Sequence, residues 1–284
     1  MKLGIHAYAW CSAWSNETLA LIDRVASLDL DFIEIPLMRL DLFDAPSIRR
    51  RLESAGIDAV CSTVLQAETD ITHEDPAVRR RGLDYLIDCV KAAAAIGADS
   101  FSGVIYAAHC KTMNRRPDKE DLRRAADVLL PVAECAADHG VRLGLEPVNR
   151  YETFLINTCS QARYLMEMIG HDNIKIHLDT YHMNIEEKSF AAATRLAGAD
   201  LLHYHLCEND RGIPGTGLVD WDGIFAELAA LDYRGYAALE SFVDITDNMN
   251  TWVWRQLAPS GDTLLQEGAA FIRAKQREYG LTAS

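Results

Sequence analysis

The chain has 284 residues, 49% of them hydrophobic and 25% charged, with 28 Lys and Arg against 42 Asp and Glu and a net charge of -14. That length and apolar content can bury a large core, which excludes a disordered chain, and the acidic balance argues against a nucleic-acid partner, because phosphate backbones are bound by surplus Lys and Arg. Seven scattered Cys without a C-x-x-C pair, and an opening apolar run too short and strand-like for a signal peptide, predict a reduced, cytosolic protein. No run approaches the eighteen or so consecutive apolar residues that a membrane span needs.

Taken from the N-terminus, short β-prone runs alternate with longer segments that are apolar on one helical face. The order is strand 3–9, helix 17–28, strand 31–36, helix 45–55, strand 57–64, helix 76–96, strand 99–105 and helix 118–139. The second half reads strand 141–146, helix 160–169, strand 173–179, helix 189–197, strand 201–206, helix 221–231, strand 235–240 and helix 261–279. Gly56, Gly97 and Gly140 follow three of the helices as C-terminal stops. Eight βα units with no linker between them predict one domain over 1–284, a (β/α)8 TIM barrel.

In such a barrel, function collects at the C-terminal ends of the strands. Four successive strand ends, five to eight, close on Glu146, Asp179, His205 and Glu240. A lone carboxylate at a strand end is more often a helix cap or the partner of a nearby Arg. Three of them converging with an imidazole repel one another and lose solvation unless a cation or protons compensate. Three oxygen donors and one nitrogen suit Mn²⁺, Mg²⁺ or Co²⁺ with open coordination positions better than a structural Zn²⁺. Glu146 and Glu240, the outer pair, are placed to remove a proton from one face of a chelated carbon and return one to the other, with the metal stabilising an enediolate between the two steps.

At these residues the chain resembles the ketose 3-epimerases, the D-tagatose 3-epimerase and D-psicose (D-allulose) 3-epimerase group of xylose isomerase-like barrels. The resemblance rests on Glu146-Pro147-Val148-Asn149-Arg150-Tyr151-Glu152, on Leu178-Asp179-Thr180-Tyr181-His182-Met183-Asn184-Ile185-Glu186-Glu187, on His203-Tyr204-His205-Leu206 with Glu208-Asn209-Asp210-Arg211, and on Leu239-Glu240-Ser241-Phe242. It runs from Gly4-Ile5 to Val253-Trp254-Arg255. It implies inversion of C3 of a free ketose, with Glu146 and Glu240 as metal ligands and acid/base pair and Asp179 and His205 completing the shell of one divalent ion, Mn²⁺ or else Co²⁺ or Mg²⁺. It further implies that Glu152, His182 and Arg211 hold the sugar oxygens around C1 to C3, that Trp14 lines the pocket, and that the protein is a homodimer or homotetramer. His6 stands where relatives often carry an aromatic that packs on the far end of the sugar, and Ser241 stands where they commonly have Pro.

Bland readings remain beside these. His182 is also a first-turn helix residue, and Arg211 also fits a surface charge in a polar loop. That loop continues as Ile213-Pro214-Gly215-Thr216-Gly217, and Gly-rich backbone after strand seven is where many barrels hold phosphate, so a phosphorylated substrate stays open. Tyr8 and Trp10 fit core or rim packing, and Trp252 and Trp254 fit lid, pocket wall or subunit interface. The same metal chemistry serves an aldose–ketose or hydroxypyruvate-type isomerase or a keto-inositol dehydratase. A metal-dependent phosphodiesterase or abasic-site nuclease needs a basic groove that the charge of -14 argues against, and a non-catalytic sugar-binding barrel is the remaining alternative.

Overall fold

The computed structural model describes residues 1–243 and 253–282. Eight parallel strands close into a barrel in chain order: β1 (Lys2–His6), β2 (Phe32–Pro36), β3 (Asp58–Leu65), β4 (Ser100–Ala108), β5 (Arg142–Leu145), β6 (Ile174–Asp179), β7 (Leu201–Leu206) and β8 (Tyr236–Leu239). Between and after them run α1 (Ala20–Ser27), α2 (Ala45–Ala55), α3 (Pro76–Ile96), α4 (Lys119–Asp138), α5 (Cys159–Ile169), α6 (Thr180–Glu186), α7 (Phe190–Ala197), α8 (Trp221–Ala230) and α9 (Gly261–Glu278). The chain therefore folds as the (β/α)8 barrel that its alternation predicts. No helix among the described residues is long and apolar enough to cross a membrane.

The strands and helices fall where the periodicity places them, with local departures. The first strand stops at His6, not at residue 9, because the His6 ring nitrogen Nδ1 accepts the Tyr8 amide proton at 3.0 Å and turns residues 7–9 into a 3-10 helix. The first helix begins at Ala20 because a capping box between Ser15 and Thr18 closes a separate turn over 16–18. The short α6 has no counterpart among the sequence-read segments; its N-cap is Asp179, whose Oδ1 accepts from the Tyr181 amide at 2.7 Å. None of the seven Cys, all of them among the described residues, forms a disulfide. Burial pushes the thiols of Cys61, Cys89, Cys159 and Cys207 up, in keeping with inert core residues.

Inside the barrel, side chains alternate in level along each strand. Gly144, His177 and His203 form a lower tier, and Glu146, Asp179 and His205 stand two residues further toward the C-terminal mouth. The lower tier is tight: a Cβ on Gly144 would lie 2.7 Å from the Ser102 Cβ and 3.3 Å from the His177 Cβ. Only a hydrogen fits there, so the strand that delivers Glu146 can pass between β4 and β6. Gly144→Ala is expected to lower unfolding stability by about 1–3 kcal/mol through overpacking, read as a shift of the urea midpoint; an unchanged midpoint would show that the tier yields without strain.

Candidate functional site

Asp179 and His205 lie directly side by side in the β6–β7 register, while Glu146 and Glu240 each stand one residue beyond their strands, β5 and β8. All four side chains are buried, none exposed by more than 7%. The His205 Nδ1 atom is the hub: it lies 3.1 Å from Glu240 Oε2, 3.6 Å from Asp179 Oδ2 and 3.8 Å from Glu146 Oε1. Ligand-type atoms of Glu146, Asp179 and His205 fall within 4.8 Å of one another. Glu240 is joined to that group through His205 and Arg211.

Their electrostatics are unfinished. The three carboxylates face one fixed cation, Arg211, whose Nη1 lies 2.6 Å from Asp179 Oδ2 and 2.5 Å from Glu240 Oε2. Two negative charges remain in excess, and the buried His205 Nδ1 has no hydrogen-bond partner among the described residues. Among the side chains themselves, shifted proton affinities answer part of the imbalance. Burial, reinforced by the charges of Asp179 and Glu240, pushes the Glu146 carboxyl well up. Burial works against the His205 cation, but the charges of Glu240 and Glu34 overcome it and hold that imidazole well above its ordinary value. Burial also opposes ionisation of Asp179 and Glu240, where the Arg211 charge prevails and draws both down. An orphaned imidazole nitrogen among carboxylates with two charges in excess fits a divalent cation.

Arg211 is a buried component of the site and not a surface charge. Its guanidinium packs over the Tyr181 ring at 4.4 Å and the Phe242 ring at 5.5 Å. Its backbone is left-handed, with φ of 69°. The Ser241 hydroxyl donates to its carbonyl at 2.7 Å, tying the strand-seven loop to the residue after Glu240.

The tautomer of His182 follows from its neighbours. Its Nδ1 accepts the Asn149 backbone N–H at 3.1 Å, so in the neutral ring the proton is on Nε2. That Nε2 lies 3.2 Å from Arg211 Nη2, a group that can only donate. Two donors thus lie side by side, with carboxylate oxygens of Glu146 and Asp179 at 3.9 and 3.8 Å from the imidazole nitrogen. Glu152 takes Asn149 Nδ2 at 2.8 Å on one oxygen and pairs with His109 Nε2 at 3.0 Å on the other. Burial raises the Glu152 carboxyl, yet His182, His109 and Arg211 together pull it down to about 2.

The other expectations divide. His6 is buried, its Nε2 3.0 Å from the Ser62 hydroxyl and its ring 4.1 Å from that of Tyr8. Trp14 belongs to the main apolar core. Trp10 donates to Asp262 at 3.0 Å under Arg24, a rim position. Trp254 is 87% exposed, and Trp252 lies outside the described residues. Asn149, His109 and Glu34 were not singled out from the sequence. Asn149 alone carried a signal, standing inside the Glu146 motif, whereas the other two are single residues whose partners are dozens of positions away.

A carboxylate organises the Gly-rich loop after β7. The buried Glu208 carboxylate accepts from the amides of Gly215 and Val219, both at 2.8 Å, and from Trp221 Nε1 at 3.1 Å.

Comparison with known proteins gives a consistent set. The model of the xylose isomerase-like TIM barrel family matches residues 22–275. A ketose 3-epimerase of Arthrobacter globiformis is 35% identical over 280 residues, 97% of this chain and 96% of the relative. The solved D-allulose 3-epimerase of a Methylomonas species in complex with D-allulose superposes with a TM-score of 0.91 at 34% identity, covering 97% of each chain. The D-psicose 3-epimerase of Clostridium cellulolyticum with D-tagatose gives a TM-score of 0.91 at 30% identity, with 100% of both chains covered.

Glu208→Ala would leave two buried donors, the Val219 amide and the Trp221 indole N–H, without an acceptor and is expected to cost about 2–4 kcal/mol of stability, measured by equilibrium urea unfolding. A loss below about 0.5 kcal/mol would show that water replaces the carboxylate freely.

Proposed function

The chain belongs to the ketose 3-epimerases of the xylose isomerase-like TIM barrel family, and on that footing we propose that it inverts C3 of a free ketose, of the D-tagatose, D-fructose, D-psicose or L-ribulose type, with one divalent ion per chain. The observation that carries the proposal is the buried group of Glu146, Asp179 and His205, whose ligand-type atoms lie within 4.8 Å of one another, with Glu240 Oε2 3.1 Å from His205 Nδ1. These four would hold the ion, Mn²⁺ or else Co²⁺ or Mg²⁺. When bound, it supplies a Lewis acid that polarises the ketose carbonyl and offsets the negative charge that develops on its oxygen.

The chain's own groups do the rest. Glu146 and Glu240 come from the two outermost of the four consecutive strand ends, so a sugar between them presents one face of C3 to each. In one direction Glu146 accepts the C3 proton, leaving a cis-enediolate across C2 and C3, and Glu240 delivers a proton to the opposite face; the reverse reaction exchanges the two roles. His182 Nε2–H and the Arg211 guanidinium donate to sugar oxygens near C1 to C3, and the ionised Glu152 accepts from a hydroxyl. Asn149 fixes both acceptor and donor by bonding His182 with its backbone N–H and Glu152 with its side chain. In the same proposal Trp14 lines the pocket and His6 stands toward the far end of the sugar.

Two observations refine the reading. The Glu208 carboxylate occupies the amides of the strand-seven loop, which favours a free sugar over its phosphate. Large apolar side chains exposed at the mouth side, Leu218 at 77% and Trp254 at 87%, suit a homodimer or homotetramer in a cytosolic protein.

The test is turnover of free ketoses in deuterated water. Deuterium entering at C3 of the product supports the proposal, whereas label at C1 or C2, or loss of water, refutes it in favour of an isomerase or dehydratase. Glu146→Gln and Glu240→Gln are each expected to lower kcat by about 10²–10⁴-fold in the same assay. Wild-type turnover by either would remove that residue from the proton-transfer pair.

A further inference from the structure

Beneath the proposed metal site lies a carboxylate with no role in the reaction described above. Glu34, from the middle of β2, is fully buried inside the barrel. Its Oε2 lies 2.8 Å from His205 Nε2 and 2.8 Å from His203 Nε2, both reaching it from β7 across the lumen. Its Oε1 has no hydrogen-bond partner among the described residues and stands 3.6 Å from His6 Nε2.

We infer that Glu34 is the positioning residue for the metal-binding histidine: its carboxylate accepts the proton of His205 Nε2, so that the lone pair of Nδ1 is the one turned toward the carboxylates of Glu146, Asp179 and Glu240. The inference rests on the reading of His205 as a metal ligand. The physical ground is the two-nitrogen chemistry of imidazole. A neutral ring has one donor and one acceptor, and a carboxylate facing one nitrogen makes that nitrogen the donor and the other the ligand, while raising its basicity.

The geometry here leaves little choice. Nε2 is engaged by an obligate acceptor at hydrogen-bonding distance, and Nδ1 is buried, unpartnered and 3.1–3.8 Å from three carboxylates. The rival use of the same side chains, a second metal held by His177, His203 and His205, would take His203 away from Glu34 and from the Tyr236 carbonyl, its two present partners. Glu34 explains the tier with the side chains as they stand.

The experiment measures Mn²⁺ affinity of metal-stripped protein from the electron paramagnetic resonance signal of free Mn²⁺, for wild type, Glu34→Gln and His205→Asn. Glu34→Gln should bind Mn²⁺ about 10–100-fold more weakly and recover turnover when Mn²⁺ is raised to saturation, a recovery that mere loss of packing would not give. Glu34→Gln binding like wild type while His205→Asn is impaired would overturn the role of Glu34 alone. His205→Asn binding like wild type would overturn the metal reading and this inference with it. Should Glu34→Gln fail to fold, wild-type protein loaded with ¹¹³Cd²⁺ decides: coupling from ¹¹³Cd to Nδ1 of His205, with Nε2 still protonated, supports the assignment, and coupling to Nε2 overturns it.

Discussion

Everything at the mouth of this barrel follows from the cost of keeping three carboxylates together out of water. Glu146, Asp179 and Glu240 are all buried beside one imidazole, and among the described residues Arg211 is the fixed cation that bridges two of them. Such a group is unstable as a bare anion cluster. Around it the fold places each element that makes it tolerable: the guanidinium stacked on Tyr181 and Phe242, the helix N-terminus capped by Asp179, and the imidazole whose free nitrogen faces the carboxylates. The remaining excess of two negative charges is the opening that a divalent ion fits.

The support of the site is as specific as the site. Asn149 sets the tautomer of His182 and one oxygen of Glu152 at once, so two sugar-facing groups depend on one residue that touches neither the metal position nor the reacting carbon in the proposed mechanism. Ser241 secures the left-handed backbone at Arg211, and Glu208 folds the glycine-rich loop around its own carboxylate. Below, Gly144 leaves the room in which His177 and Ser102 pack. The strands supply rigid points of attachment, and the loops are tied down by buried hydrogen bonds.

Much of this was legible in the sequence because the information is local. Alternation of strand and helix patterns specifies the barrel, and each of the four central side chains stands at or just past the end of its own strand. Both bland readings of Asp179, helix cap and partner of an Arg, are realised, since Oδ1 caps α6 while Oδ2 accepts from Arg211. What the sequence withheld is relational. Arg211 fits a surface loop until its chain reversal is known, Glu34 looks like any strand residue until β7 is brought within 2.8 Å of it, and the loop glycines suggest phosphate until Glu208 is found among their amides. The end of the first strand at His6 likewise depends on one hydrogen bond from a ring nitrogen that no periodicity encodes.

The central claim is a position: one ion among four named side chains. The most direct measurement is anomalous diffraction from a crystal of the metal-stripped protein soaked in Mn²⁺. The account predicts one strong Mn²⁺ peak per chain, within coordination distance of carboxylate oxygens from Glu146, Asp179 and Glu240 and of His205 Nδ1. A peak bound elsewhere in the barrel, or none at a concentration that supports full turnover, would contradict it.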